Sequence, residues 1–459
     1  MKAAVTLIAA AALLAACAGP EPKQPTAAEA AQSALPAPAF PNAGGSGATA
    51  AAALPWAEAF RGARLQQLIP LALANNRDLR VAAASIESAR ATAAARDADL
   101  WPTVNAGLSG SRAPNASGGI ATNYQAGLQV PAYEVDLFGR LRSLGTAAQA
   151  QLLAAEANQQ AVRNALVAAV ATTEIALQAD EALLKLTRDT LASREQSLGL
   201  IRQRFEGGIA SELDLRAGEA ALQAARVAYA QTQRQRMLDE NALVLLLGSA
   251  LPAELPAPTG QLADFEPLAE LPAGVPSDVL TRRPDLRQAE AQLAAADANI
   301  AAARAAFFPR ITLTGSFGTT SSELSGLFKN SAWTFAPSLI QPLFDAGRNR
   351  ANLAGARAAR DAATAQYEKA VQSAFRDVAD ALAGRATLAE QRAAQAALVD
   401  AEARRLALAE ERYRAGISSS LDVLDAQRSL FTAQHALVQV QSQRAQNLVA
   451  VYRVLGGGA

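Results

Sequence analysis

Apolar residues recur every seven positions along an Ala-rich stretch: Val170, Leu177, Leu184, Leu191, Leu198 and Phe205. Six consecutive heptad positions predict a coiled-coil-like helix, and the helical pattern fills residues 141–206. At about 1.5 Å per residue that is a rod of about 100 Å. Gly207-Gly208 interrupts it, and a return helix is predicted over 211–247, with Gly248 and then Pro252 beyond its end. Upstream the period changes. Val104, Ala106 and Leu108 alternate with polar or small residues, as do Tyr124, Ala126, Leu128 and Val130, around the polar loop APNASGGIATN. These are predicted strands at about 103–112 and 122–133. A helix-like segment from Trp56 to about Leu100 precedes them and stops at Pro102.

The whole pattern then recurs. Asp285-Leu286-Arg287 repeats Asp78-Leu79-Arg80 and Pro309 repeats Pro102, both 207 residues on. Gly347-Arg348 repeats Gly139-Arg140, Gly416-Ile417 repeats Gly208-Ile209, and Leu455-Gly456 repeats Leu247-Gly248, all 208 on. The chain therefore reads as two tandem copies, 56–248 and 284–459, joined by a Pro-rich connector at 249–283. The second copy predicts strands at about 310–318 and 332–341, a long helix over 347–414 and a shorter one over 418–455. Its strands carry Phe317, Trp333 and Phe335, aromatics that suit a bilayer interface.

Strands of about nine to twelve residues are long enough to cross a bilayer when tilted. Lipid excludes open sheet edges, and four strands cannot close a barrel. Spanning strands thus require several chains to share one barrel, while helices of this length must project into water. The expected fold is mainly α, with long helical hairpins and four strands per chain contributed to a shared membrane β-barrel.

Composition narrows the function. Charge is balanced, 42 basic against 42 acidic residues, which leaves no nucleic-acid footprint in the totals. With one cysteine and one histidine, His435, there is no disulfide framework and no Cys/His metal set; His435 reads as an ordinary helix residue. No phosphate loop or Ser/His/Asp arrangement is present, so neither an enzyme nor a cofactor is expected. Lys2 and the apolar run Ala3–Ala16 form a secretory signal over residues 1–16, too short to span a bilayer. It ends in LAAC, like a bacterial lipobox in which Cys17 becomes the lipidated first residue; plain signal cleavage with an incidental cysteine is the alternative. Residue 18 is Ala rather than Asp, which favours the outer membrane, and residues 17–55, rich in Pro, Ala, Gly and Ser, read as an extended tether.

The second hairpin tip, RYRAGISSSLDVLDAQRSL, places Asp422 and Asp425 three residues apart on one helix face just past Gly416. The first tip, RFEGGIASELDLRAGEAAL, has Asp214 and Ala217 in those places. Carboxylates facing a symmetric, narrow pore would form rings that attract cations and raise the carboxylate pKa. The plainer reading is that Asp422 starts a helix, and that the glycines serve only the turns.

Several stretches resemble the TolC-like outer-membrane efflux factors, within them the NodT/OprM-type lipoproteins. They are GVPSDVLTRRPDLRQAEAQL, ARAAFFPRITLTGSFG, QPLFDAGRNR, YEVDLFGRLR, the second tip and the ending LGGG, spread over residues 56–458. FRGARLQQLI departs slightly, with Gly62 where the family more often has Asp. The resemblance implies a homotrimer with a twelve-stranded barrel and a helical periplasmic cylinder. It implies no catalysis, but a duct that receives cargo from a periplasmic adaptor and an inner-membrane pump of the resistance-nodulation-division (RND) type. It also implies a gate at the tips, with Leu421, Asp422 and Asp425 at the constriction and Tyr413 and Asp214 in polar links. The basic residue expected two positions after the tip glycine is here Ser418, for which Arg412 or Arg414 could substitute. Gly207, Gly208 and Gly416, with Arg202, Arg204 and Arg414 nearby, are candidate adaptor contacts. The same tube could serve as the exit duct of a type I protein secretion system. A structural coiled-coil lipoprotein bridging envelope layers would not predict the tandem strands.

Overall fold

A computed structural model describes residues 26–36, 40, 55–60, 62–114, 118–260 and 283–457. The signal segment and Cys17 lie outside the described residues. Among those described, the elements run α1 (Ala27–Ala34), α2 (Trp56–Ala59), α3 (Ala63–Asn75), α4 (Arg77–Ala98), β1 (Asn105–Pro114), β2 (Ile120–Val135), α5 (Arg140–Glu206) and α6 (Glu212–Leu247). Then follow α7 (Pro284–Ala305), β3 (Arg310–Ser321), β4 (Ser331–Ile340), α8 (Arg348–Arg414) and α9 (Ser420–Val454).

The long helices α5 and α8 have 67 residues each, about 100 Å at the α-helical rise. Each begins after a glycine held in the left-handed region, Gly139 at φ 76° and Gly347 at φ 87°. The heptad stripe on α5 is buried at Val170, Leu177, Leu184 and Leu198 and runs out at Phe205, which is exposed beside the tip. Helix α5 packs on α6, α7 and α9, and α8 packs on α7 and α9. The main apolar cluster lies midway along, where Phe60 meets Tyr452 edge-on at 5.0 Å among Leu65, Ile69, Ile175 and Leu247.

Two sequence expectations change. The expected helix from Trp56 to Leu100 is three helices, broken at Asn76, which is extended (ψ 135°) and buried. Its Oδ1 accepts the Leu79 amide at 3.0 Å, capping α4, and its Nδ2 donates to the Leu246 carbonyl at 2.9 Å. One side chain thus ends one helix, starts the next and fixes the end of α6. The tether is likewise not extended throughout. Thr26 and Glu29 form a capping box for α1, whose Ala30 and Ala34 are buried against α8, and Phe40 stacks on Phe375 at 4.7 Å. The described part of the connector is also held: Gln178 Oε1 accepts the amides of Thr259 and Gly260 at 3.0 and 3.1 Å.

The strands form one antiparallel sheet in the order β1-β2-β3-β4, so the middle pair joins the two repeats. Strand β2 extends to Val135, beyond the expected end, because a bulge between Val130 and Tyr133 lets its lower part keep pairing with β3 down to Ile311. The register places Leu108, Leu128, Phe317, Trp333, Phe335 and Leu339 on one face, each more than half exposed. The other face carries Ser109, Gln125, Gln129, Thr314, Ser316 and Thr334. One apolar and one polar face is the pattern of a strand set between lipid and a wet lumen.

Candidate functional site

The two hairpin tips are built alike. In the first, Gly208 takes φ 74° and the amides of Ile209 and Ala210 return to the Arg204 carbonyl at 2.8 and 3.1 Å. In the second, Gly416 takes φ 73° and the Ile417 amide returns to the Arg412 carbonyl at 2.9 Å. Each following helix opens with a capping box. Asp214 Oδ2 accepts from the Ser211 amide and hydroxyl at 3.0 and 2.6 Å; Asp422 Oδ2 accepts from the Ser419 amide and hydroxyl at 3.0 and 3.1 Å. A carboxylate here satisfies helix-terminal donors and faces the positive end of the helix dipole.

Two contacts then tie one tip to the other within the chain. The Ser420 hydroxyl donates to Asp214 Oδ1, and the Arg204 guanidinium lies 4.3 Å from the centre of the Tyr413 ring. The hydrogen bonds from Ser211 and Ser420 hold the Asp214 carboxyl below the usual range.

Behind the tips, α5, α6 and α9 enclose an open cleft of about 800 Å³. Leu421, Asp422 and Asp425 line it together with Arg194, Arg428 and a run of alanines on α6. Asp425 is clamped: Arg405 of α8 donates to its Oδ2 at 2.6 Å and Arg428 to its Oδ1 at 2.5 Å. The Arg405 hydrogen bond, with the charge of both arginines, lowers its pKa. Arg194 is buried, donates to Gln427 Oε1, and is itself pushed down by burial and by Arg428; Gln427 continues to Ser197 Oγ at 3.1 Å.

The family described as "Outer membrane efflux protein" matches this chain over residues 68–249 and again over 275–457, one match per repeat. The chain belongs to the outer membrane efflux protein family. An antibiotic efflux pump outer membrane protein of Pseudomonas putida, ArpC, is 46% identical over 418 residues, covering 89% of this chain and 86% of its own length. A membrane protein from Pseudomonas aeruginosa has the same fold at TM-score 0.86 and 42% identity, covering 95% of this chain and 99% of its own. The open-state outer membrane channel MtrE of Neisseria gonorrhoeae matches at TM-score 0.83 and 39% identity, over 96% and 98% of the two chains. The chain is accordingly an outer-membrane efflux channel protein with the family's tandem helical and β-sheet halves.

In this outer membrane efflux protein the residues singled out from the sequence gather at one end of the helices. Leu421 is 64% exposed on the cleft, whereas Asp422 turns its carboxylate back into its own cap. Within one chain Asp425 is an ion-pair partner rather than an open acid, and its pKa moves down, opposite to the rise expected of a bare carboxylate ring. Asp214 and Tyr413 both make links, to Ser420 and Arg204. Arg414 instead pairs with Glu410 at 3.0 Å on its own helix, and Arg412 contributes its carbonyl to the turn. The Ser418 hydroxyl is buried without a partner among the described residues. Gly207, Gly208 and Gly416 stand at the exposed extremities.

Sequence reading missed Arg194, Gln427 and Arg405, ordinary polar residues in helical runs whose partners lie on other helices. It also missed Asp180, buried on α5 beside Asp239 of α6, with Oδ2 unbonded among the described residues. Burial, then Asp239, pushes the Asp180 carboxyl up to about 7. His435, half-buried, lines a second cleft together with Asp180 and Asp239 and is pushed down by burial.

Proposed function

We propose that three copies of this chain assemble into one duct, lipid-anchored at Cys17, through which an RND-type inner-membrane pump and a periplasmic adaptor export small organic molecules. The observation that carries this is the sheet: one apolar face, one polar face and two edges unpaired among the described residues, set beside helices of about 100 Å. Such a sheet is stable in lipid only when its edges are closed by other strands. Relatives named for antibiotic and toluene efflux favour apolar organic cargo over secreted protein.

The hairpin tips are the gate in this reading. Opening parts the two hairpins of each chain, so it must break the Ser420–Asp214 bond and lift Arg204 from Tyr413. Asp422 and Asp425 face the throat but are already engaged, one in a cap and one between two arginines. The tip glycines are then the surface an adaptor meets.

The test is the purified full-length protein, sized in detergent and reconstituted into planar bilayers. Trimers that conduct weakly at rest, and more strongly when Asp214 and Tyr413 are replaced together by Ala, support the reading. A protein that forms no pore as a trimer sinks it. Mass spectrometry of the mature N-terminus decides the anchor, since diacylglycerol on Cys17 is expected.

A further inference from the structure

The cleft behind the tips holds a charge that the chain does not neutralise. Helix α5 forms its floor, and α6 and α9, each packed on α5, form its walls. Arg194 rises from the floor and is only 7% exposed. The Gln427 amide oxygen accepts from it, and no carboxylate pairs with it among the described residues. A guanidinium taken out of water is costly unless a counter-charge and hydrogen bonds replace the water. One neutral acceptor satisfies only part of a five-donor fork.

The acids nearby are engaged elsewhere. Glu195, next in sequence, lies 3.7 Å from Arg226 of α6. Asp422 is held in its own cap, and Asp425 lies between Arg405 and Arg428. The internal repeat shows what is missing. At the spacing of 208, Arg194 corresponds to Glu402 and Ala217 to Asp425. The second hairpin thus meets its basic residue, Arg405, with two acids, whereas the α6 wall beside Arg194 is alanine. That wall suits an apolar body. Ala217, Ala221, Ala224 and Ala228 recur at helical spacing, Leu421 and Phe431 stand on the α9 side, and the space between is about 800 Å³. Clefts of that size take drug-sized molecules.

We propose that this cleft binds an amphipathic organic anion, with its carboxylate or sulfonate on Arg194 and its apolar body against the alanines of α6. This rests on the reading of the chain as a duct for small organic molecules and names a class of cargo that the duct holds in passage. The guanidinium fork matches a carboxylate, or two oxygens of a sulfonate, with two parallel N–H···O bonds. Burial, then the neighbouring Arg428 charge, disfavours the Arg194 cation, and a bound anion offsets both. A neutral or cationic molecule of the same size gains the alanine wall but not the guanidinium.

Block of the current through the full-length protein in planar bilayers tests the site. Octanesulfonate, added below its micellar concentration on the side of the tips, is expected to reduce conductance reversibly. Methanesulfonate, which lacks the apolar body, and octyltrimethylammonium, which carries the opposite charge, should each need about tenfold more. Arg194→Gln should raise the half-blocking concentration of octanesulfonate about tenfold, and Arg194→Lys by less, since the charge stays and the fork is lost. Ala224→Trp fills the cleft from α6 and leaves Arg194 in place. It should weaken the block to a similar degree, and it decides the matter should the Arg194 variants fail to assemble. Conducting pores that octanesulfonate leaves open, blocks equally with and without Arg194, or blocks no better than the cation does, overturn the anion site and leave the duct standing. A protein that forms no pore removes both.

Discussion

Arg405 on α8 donates to Asp425 on α9 at 2.6 Å, a charge-assisted bond across the second hairpin that Arg428 completes from the other side. The acid expected to act on passing ions is therefore first a brace between the two helices that carry the second tip. Replacing Asp425 by Asn removes the shared carboxylate, leaving Arg428 without this partner and Arg405 with Glu402 of its own helix at 3.2 Å. Resting conductance in planar bilayers should rise several-fold, and preference for cations should fall. Because the brace holds the carboxyl below its usual range, its contribution is complete above about pH 4 and is lost as pH falls through the lowered pKa. Resting conductance of the unaltered protein should thus be flat across neutral pH and rise only in strong acid, whereas the Asn variant should lack the acid step.

The links between tips can be separated by a double-mutant cycle. A cation lying over an aromatic ring contributes about 0.5–1 kcal/mol at an exposed site, equivalent to about a two- to fivefold change in an equilibrium. Tyr413→Leu should raise open probability by that factor, and Arg204→Leu should add little once the ring is gone. Ser420→Ala acts on the neighbouring contact and should raise opening even in the Tyr413→Leu background. Single-channel open probability measures all four.

Asp180 gives the channel a pH dependence near neutrality. Its folded-state pKa, about 7, lies above the ordinary carboxylate value, so the folded protein binds the extra proton between about pH 4 and 7. Stability contributed by the protonated group is present below that window and is lost as pH rises through 7. The thermal midpoint in detergent should fall from about pH 5 to pH 8. Asp180→Asn, which keeps a neutral side chain at every pH, should flatten that slope and hold the high midpoint; a slope that survives the substitution would count against a titrating Asp180.

Gly207 and Gly416 are both tip glycines but do not stand in equivalent places: Gly416 repeats Gly208, and Gly207 falls on Ala415. Gly416 sits at φ 73°, where a Cβ costs about 1–2 kcal/mol even though no neighbouring atom lies within 4 Å of it. Gly207 has φ −78° and would accept a Cβ at an ordinary 3.4 Å from the Gln203 carbonyl oxygen. Gly416→Ala should destabilise the second tip, seen as faster amide exchange around Ile417, while Gly207→Ala should leave the first tip unchanged.

The contrast shows which parts of the molecule sequence could report. The tandem copy, the strand alternation and the 67-residue helices follow from periodicity and glycine spacing, which are local signals repeated many times. The break at Asn76 gave no such signal: neither Gly nor Pro marks it, and the residue works through the carbonyl of Leu246, 170 residues away. Asp422 was legible as a helix start from SSSLD and as a pore acid from its spacing to Asp425, and only coordinates say that its carboxylate points into the cap. Arg194 and Gln427 meet across 233 residues between two helices, and polar residues in an Ala-rich heptad pattern do not announce their partners.

Pairing β2 with β3 has a consequence for how the protein is made. Tyr124 is paired with Gly110 on one side and finds its partner on the other only at Ser321, so neither half of the chain can finish a membrane-ready sheet alone. A long wait between the two strands slows closure, as non-local contacts do in folding generally. While export from the cell interior is under way, the first hairpin is a two-stranded ribbon too small to insert, and commitment to the bilayer is deferred until nearly three-quarters of the polypeptide has emerged.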